Sequence, residues 1–230
     1  AWGVPCIGVH NLEGHILRPL LEGVEVPFPH LCLVVYGGHT EIVLVDAPGS
    51  YRLLGQTIDD AAGEAFDKGA RLLGLGYPGG HAVQQKATGG DPKRYDLPRA
   101  LKSDPYNFSF SGLKTAVLRL VEREGAAICI EDAAASLQEA IVDVLVRKTI
   151  AALDHSGCRA LTLVGGVAAN IVLRTRLRQE SERYGAAFIA PPVAYCTDNA
   201  AMIALAGSVR LANGERSDLW METLANSELP

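Results

Sequence analysis

The stretch GVHNLEGHIL, residues 8–17, places His10, Asn11, Glu13 and His15 within six consecutive positions. Imidazole and carboxylate are ligands that iron and zinc accept, so the pattern raises a metal site. It is not the metalloprotease motif HExxH, which needs His and Glu adjacent, whereas Glu13 stands between Leu12 and Gly14. On a helix, residues four apart face one way, whereas residues five apart diverge by roughly 140°. Asn11 and His15 would therefore share a face. His10 could join them only if the helix begins after it and His10 reaches in from the end of a strand. The plain alternative for such a pair is ordinary hydrogen bonding. A further candidate ligand is Asp198 in CTDNAA, which opens an apolar helix. A carboxylate there also suits an N-cap. Spacing alone does not bring positions 15 and 198 together.

A second kind of chemistry is suggested by three glycine pairs, in VVYGGHT, YPGG and LTLVGGVAAN. A strand that delivers Gly-Gly into a helix start lets backbone N–H groups approach a phosphate with no Cβ in the way. The helix N-terminus adds partial positive charge. Repetition of such pairs points to a nucleotide or acyl-phosphate cleft between two lobes. GxxxxGK[ST] and GxGxxG are both lacking, so neither a Walker nor a Rossmann site is indicated.

These residues need elements to hold them. PHLCLVVYGGHTEIVLVD reads as a strand hairpin turning at Gly37-Gly38. DDAAGEAFDKGARLLGLG reads as a helix, with Asp59 and Asp60 at its N-terminus and GYPGG as its stop. Residues 87 to 106, rich in Pro, Gly, Asp and Lys, read as a surface loop and subdomain boundary. Helices follow over SGLKTAVLRLVERE and EDAAASLQEAIVDVLVRKTIAAL. RALTLVGG is a buried strand, VAANIVLRTRLRQESERYG a helix and AAFIA another strand. CTDNAAMIALAGSVRLANG is a last helix, capped by Thr197 or Asp198. Alternation of strands and helices gives an α/β class.

The 230 residues, 48% hydrophobic and 20% charged, suit an ordinary globular protein. No apolar run approaches the ~20 residues of a membrane span, and no signal peptide is read at the start. Five dispersed cysteines without CxxC pairs argue against a disulfide framework and a zinc ribbon; a reducing cytoplasm is the expected compartment. A formal charge of −5 does not advertise nucleic acid. An RNA partner would need a local basic patch, for which Arg174, Arg176 and Arg178 in LRTRLRQ are the candidates, although a solvated helix face explains them as well.

HNLEGH, GGHTEIV, DDAAGEAFDKGARLLGLGYPGG, FSFSGLKTAV, LVGGVAAN and CTDNAAMIA occur in an order that resembles the TsaD family, the tRNA adenosine threonylcarbamoyltransferases, over roughly residues 3 to 212. The resemblance implies an actin-like (ASKHA), two-lobed ATPase fold, with residues 1–90 as the remainder of the first lobe and 91–230 as the second. It implies transfer of a threonylcarbamoyl group from threonylcarbamoyl-AMP to the exocyclic amine of an adenosine beside the tRNA anticodon. On this basis His15 and Asp198 match metal ligands, with Asn11 or His10 as the third, for one divalent ion, iron or zinc. Val34, Val35, Tyr36, Gly37, Gly38 and His39 match the substrate loop; Asp67, Gly80 and Asn170 match other contacts to the adenylate or nucleotide. The implied partners are tRNA, a paralogous actin-like subunit and a small ATPase, with no membrane.

The chain departs from the family's pattern in three places. Family chains begin earlier, with a strand hairpin, so the first lobe is expected to be incomplete at its N-terminus. Asn11 stands where the family has its first metal histidine, with His10 one place early. Tyr36 stands where a serine is usual. Two other functions remain to be weighed, a carbamoyltransferase acting on a small molecule or protein, and a non-catalytic homologue.

Overall fold

The computed structural model describes residues 3–193, 196–223 and 229. The expected hairpin forms as β1 (His30–Val35) and β2 (Thr40–Ala47), antiparallel, with Val35 opposite Thr40 and the turn at Tyr36–His39. β3 (Ser50–Gln56) continues the meander beside β2. Sequence reading passes over β3 because most of SYRLLGQ is exposed, as suits an edge strand, and it lacks a buried run. β4 (Ala160–Val164) lies parallel to β1, and β5 (Ala187–Ile189) parallel to β4. The order is β3-β2-β1-β4-β5. HLCLVV and ALTLV are buried along their whole length, which is why these two central strands read as continuous apolar runs.

Among the described residues seven α-helices surround the sheet: α1 (Asn11–Leu17), α2 (Ala62–Leu72), α3 (Gly79–Lys86), α4 (Ser111–Glu124), α5 (Ile130–Ser156), α6 (Ile171–Arg183) and α7 (Ala200–Ala212). Side chains of β1 alternate between its two faces. Leu31, Leu33 and Val35 join the large core built with α2, α4 and α5. Cys32 and Val34 join Leu12 and Ile16 of α1 on the other face. α1 in turn packs against α7.

Four expectations need correction. First, β1–β3 and β4–β5 belong to one sheet, so a division at residue 90 falls inside a shared core rather than between two lobes. The polar stretch after α3 suggested a boundary, yet Tyr95 and Leu97 within it are buried. Buried Lys148 on α5 also donates to the carbonyls of Leu101 (3.0 Å) and Asp104 (2.6 Å). Second, YPGG does not only stop a helix: Pro78 is the N-cap of α3, which begins at Gly79. Third, Asp59 and Asp60 do not cap α2. Asp59 accepts from Phe110 N–H (2.8 Å), Ser111 N–H (3.2 Å) and the Ser109 and Ser111 hydroxyls, so it caps α4 instead. Asp60 pairs with Lys68 at 2.6 Å. Fourth, the cap of α7 is Asn199, whose side chain accepts from Met202 N–H at 3.1 Å; this leaves Asp198 outside the helix. Among the described residues, no helix is long and apolar enough to cross a membrane.

Candidate functional site

The helix α1 begins directly after His10, whose Nδ1 accepts from Leu12 N–H at 3.2 Å and caps it. One turn on, His15 and Asn11 share a face, as their spacing requires. His15 Nε2 lies 3.0 Å from Asp198 Oδ1, and Asn11 Nδ2 donates to that same oxygen at 3.3 Å. The convergence of positions 15 and 198 is thus supplied by helix packing. Gly14 makes it possible: a Cβ there would stand 3.2 Å from the Met202 and Ile203 side chains of α7. Arg18 adds a tie, donating from Nη1 to Thr197 O at 3.1 Å.

Glu13 points elsewhere. It is fully buried, accepts from Tyr51 OH at 2.9 Å and pairs with Arg210 Nε at 2.6 Å. The glutamate of HNLEGH therefore fastens α1 to β3 and α7 and takes no place beside His15.

Burial lowers the pKa of His15, an effect partly offset by Asp198 and reinforced by Arg18. The imidazole is accordingly neutral, the form a metal needs. The donor set fits a divalent ion: Nε2 and Oδ1 stand 3.0 Å apart, a separation available to two donors with bonds of about 2.1 Å to one centre. In addition, His15 Nδ1 is buried without a hydrogen-bond partner. Asn11, an amide, is the neighbouring third group. Among the described residues, no group of three His, Cys, Asp or Glu side chains is placed to hold a metal ion. His10 is close enough to His39 to help lower that residue's pKa, an effect second to burial.

Beside this centre, the ends of β1 and β4 meet. Val34 and Val35 are buried strand residues, and Gly37 and Gly38 form the exposed turn. Gly165 and Gly166 follow β4, and Gly165 has φ +97°, where a Cβ would stand 2.3 Å from Val35 O. Two glycine pairs therefore lie side by side at the carboxyl ends of neighbouring parallel strands, a place where α/β sheets bind ligands. They do not face one another across two sheets. The start of α2 abuts them: a Cβ on Gly63 would meet Tyr36 O at 2.8 Å, and Ala62 N–H donates to Thr40 Oγ1 at 2.9 Å. Gly63 and Thr40 are the residues that sequence reading missed as parts of the site, whereas Gly165 belongs to a glycine pair it singled out. The only signal of the first two was small size beside a strand end.

Tyr36 is half-buried between two histidines, with ring centroids 5.5 Å from His15 and 4.9 Å from His39. It thereby links the His15–Asp198 pair to the glycine turn. Burial, with Glu41 and Asp198 nearby, raises its pKa, so the phenol stays neutral. The bulk of Tyr36 is accommodated by stacking.

The third glycine segment joins through Asp67 on α2, whose Oδ1 accepts from Gly79 N–H at 2.8 Å. Gly79 is obligatory, since a Cβ would stand 2.5 Å from Asp67 Cα, whereas Gly80 beside it has open space. Asp67, Lys68, Arg71 and Tyr77 line a cavity of about 310 Å³. Asn170 caps α6, accepting from Leu173 N–H at 3.0 Å, while its Nδ2 donates to Gln138 Oε1 at 2.8 Å. Both ends of that amide have internal partners.

Comparison with known proteins follows this geometry. The profile of TsaD, tRNA N6-adenosine threonylcarbamoyltransferase, matches residues 1–205. Proteins of that name are 54% identical over 211 residues in Thiobacillus denitrificans, covering 91% of this chain and 62% of that protein. The Bordetella petrii protein is 52% identical over 222 residues, covering 93% of this chain and 64% of its own. The chain thus spans less than two thirds of these curated relatives. Among solved structures, full-length HypF in its phosphate- and nucleotide-bound form aligns with TM-score 0.66 at 14% identity, covering 96% of this chain and 38% of that one. The activator of the 2-hydroxyisocaproyl-CoA dehydratase from Clostridium difficile, with bound ADPNP, aligns at 0.50 and 14%, covering 92% of this chain and 70% of that one. At that identity the likeness speaks for the fold, an actin-like α/β architecture.

Proposed function

The chain belongs to the tRNA N6-adenosine threonylcarbamoyltransferase family, and from that premise we propose that it carries the acyl-adenylate site of an enzyme that forms threonylcarbamoyladenosine in tRNA. In the reaction the adenosine N6 attacks the carbamoyl carbon of threonylcarbamoyl-AMP. An N–C bond forms, the C–O bond to phosphate breaks, AMP leaves with the electron pair, and the amine gives up one proton.

The observation that carries this reading is the adjacency of two glycine turns to the His15–Asp198 pair. The backbone N–H groups at Gly37-Gly38 and Gly165-Gly166 hold the phosphate, aided by the nearby start of α2. Val34 and Val35 set the position of that turn, and His39 flanks it. Asp67, with one oxygen on Gly79 N–H, offers the other to nucleoside hydroxyls, next to Gly80 and the 310 Å³ cavity. Asn170 shapes the opposite wall through its backbone. His15 and Asp198, with Asn11, would hold a divalent ion, iron or zinc, which when bound supplies Lewis-acid polarisation where negative charge develops. We assign no general base; orienting the amine at an activated carbonyl is sufficient.

This reading places the protein in the cytoplasm, with tRNA, a paralogous actin-like subunit and a small ATPase as partners. The experiment is a modification assay with tRNA, threonine, bicarbonate, ATP and the partner enzymes, read by mass spectrometry of nucleosides. Threonylcarbamoyladenosine is expected. Carbamoylation of only a small molecule or protein would overturn the reading.

A further inference from the structure

Two of the three arginines that the sequence offered for RNA are engaged within the molecule, and the third stands apart from any basic neighbour free to act with it. Arg174 donates to the carbonyls of Ala168 and Pro191 and to Cys196 Sγ. Arg176 pairs with Glu139 (2.9 Å) and Asp143 (2.5 Å). Arg178 lies over the Phe188 ring, 5.5 Å from its centroid. An RNA surface must therefore be sought elsewhere.

Residues 93–123 hold seven Lys and Arg against three Asp and Glu, a net +4 inside a chain of formal charge −5. The remaining residues sum to −9, so this segment stands out as basic in an otherwise acidic chain. Lys93, Arg94 and Arg119 are exposed, and among the described residues none of them has a carboxylate partner. Arg123 pairs only with its sequence neighbour Glu124. Arg119 and Arg123 border a groove of about 210 Å³ between α4 and Tyr95–Leu97, and the Arg94 guanidinium lies 5.9 Å from the Tyr95 ring centroid.

The base of this face is preformed. Buried Tyr95 is fixed at both ends, its N–H donating to Ser136 Oγ (3.2 Å) and its hydroxyl accepting from Cys129 N–H (3.2 Å). Asp59 fixes the start of α4 and ties it to the segment leading into α2. Arginine predominates at the groove, and its planar fork suits phosphate oxygens better than a point charge does.

We propose that the groove between the 93–97 segment and the second half of α4 docks the phosphodiester backbone of the RNA acceptor, through Arg94, Arg119 and Arg123. The proposal rests on the tRNA-modifying reading above and assigns the acceptor a contact outside the His15–Asp198 centre. An acidic protein or an anionic membrane would meet the same charges; RNA is favoured because the proposed reaction already requires a polyanionic acceptor.

The test is tRNA binding by the intact protein with its partners, followed by fluorescence anisotropy over a salt series. Arg94→Glu with Arg119→Glu is expected to weaken binding about tenfold or more at 0.1 M salt. Arg94→Gln with Arg119→Gln adds no repulsion and should reduce the salt slope by roughly 1.5. Arg178→Glu makes the same kind of charge change on α6 and should stay within twofold of the parent. Unchanged thermal unfolding separates docking from folding. Binding and slope like the parent's in both double variants, with modification intact, would overturn the surface and leave the functional reading standing. If the parent binds no tRNA and forms no modified nucleoside, both fall. Capture by anionic vesicles with no RNA binding also overturns the proposal.

Discussion

Under the proposed function His15 and Asp198 would be two ligands of one metal ion, and Asn11, an amide already turned toward the carboxylate, would be the third. Imidazole is the better ligand for iron or zinc. Asn11→His is thus expected to slow metal loss to a chelator by about tenfold or more, measured as metal retained after dialysis; equal retention would count against Asn11 as the third ligand. Asp198→Ala should abolish stoichiometric metal and lower transfer by roughly a hundredfold. Glu41 illustrates a different constraint. Burial pushes its carboxyl from 4.5 up to about 7. The folded-state pKa lies above the unfolded one, so its favourable share of stability is present below about 4.5 and is lost as pH rises through about 7. Glu41→Gln should match the parent in urea denaturation near pH 4.5 and exceed it near pH 8. A gap that does not widen between those conditions would refute this account.

At the scale of elements, the site depends on close backbone approach. Gly165→Ala would combine a positive φ with a Cβ 2.3 Å from Val35 O, a cost of about 2 kcal/mol or more. Glu13→Ala would remove the buried partner of Arg210, which keeps Glu215 at 3.3 Å, and losing such a charged hydrogen bond costs about 1.5–3 kcal/mol. Chemical denaturation reads both; a Glu13→Ala protein of parental stability would show that α1 is held by packing alone. The sequence made much of this legible. Apolar runs marked β1 and β4, helical periodicity marked α2, α4, α5 and α6, and four-residue spacing put Asn11 with His15. Capping was misjudged, because Asp59, Asp60, Asp198 and Asn199 are all competent caps, and only tertiary position decides which helix each serves. α3 was missed because Pro-Gly-Gly is a stop signal and a possible start at once. Gly63 matters through atoms remote in the chain, which no local pattern records.

For the whole molecule, the sheet sets the unit of folding. β1 and β4 pair along Leu31–Leu161 to Val34–Val164, so residues on both sides of position 90 share a core. Fragments 1–90 and 91–230 should each lack a cooperative thermal transition when expressed alone and regain one when co-expressed. Independent folding of either would restore the boundary that the polar segment suggested. The same pairing has a temporal consequence. The two glycine turns come into register only when β4 is laid beside β1, from more than half the chain away. A ribosome-bound polypeptide that has not yet extruded residue 166 lacks the paired turns, so under the proposed function no nascent chain shorter than that would hold the adenylate.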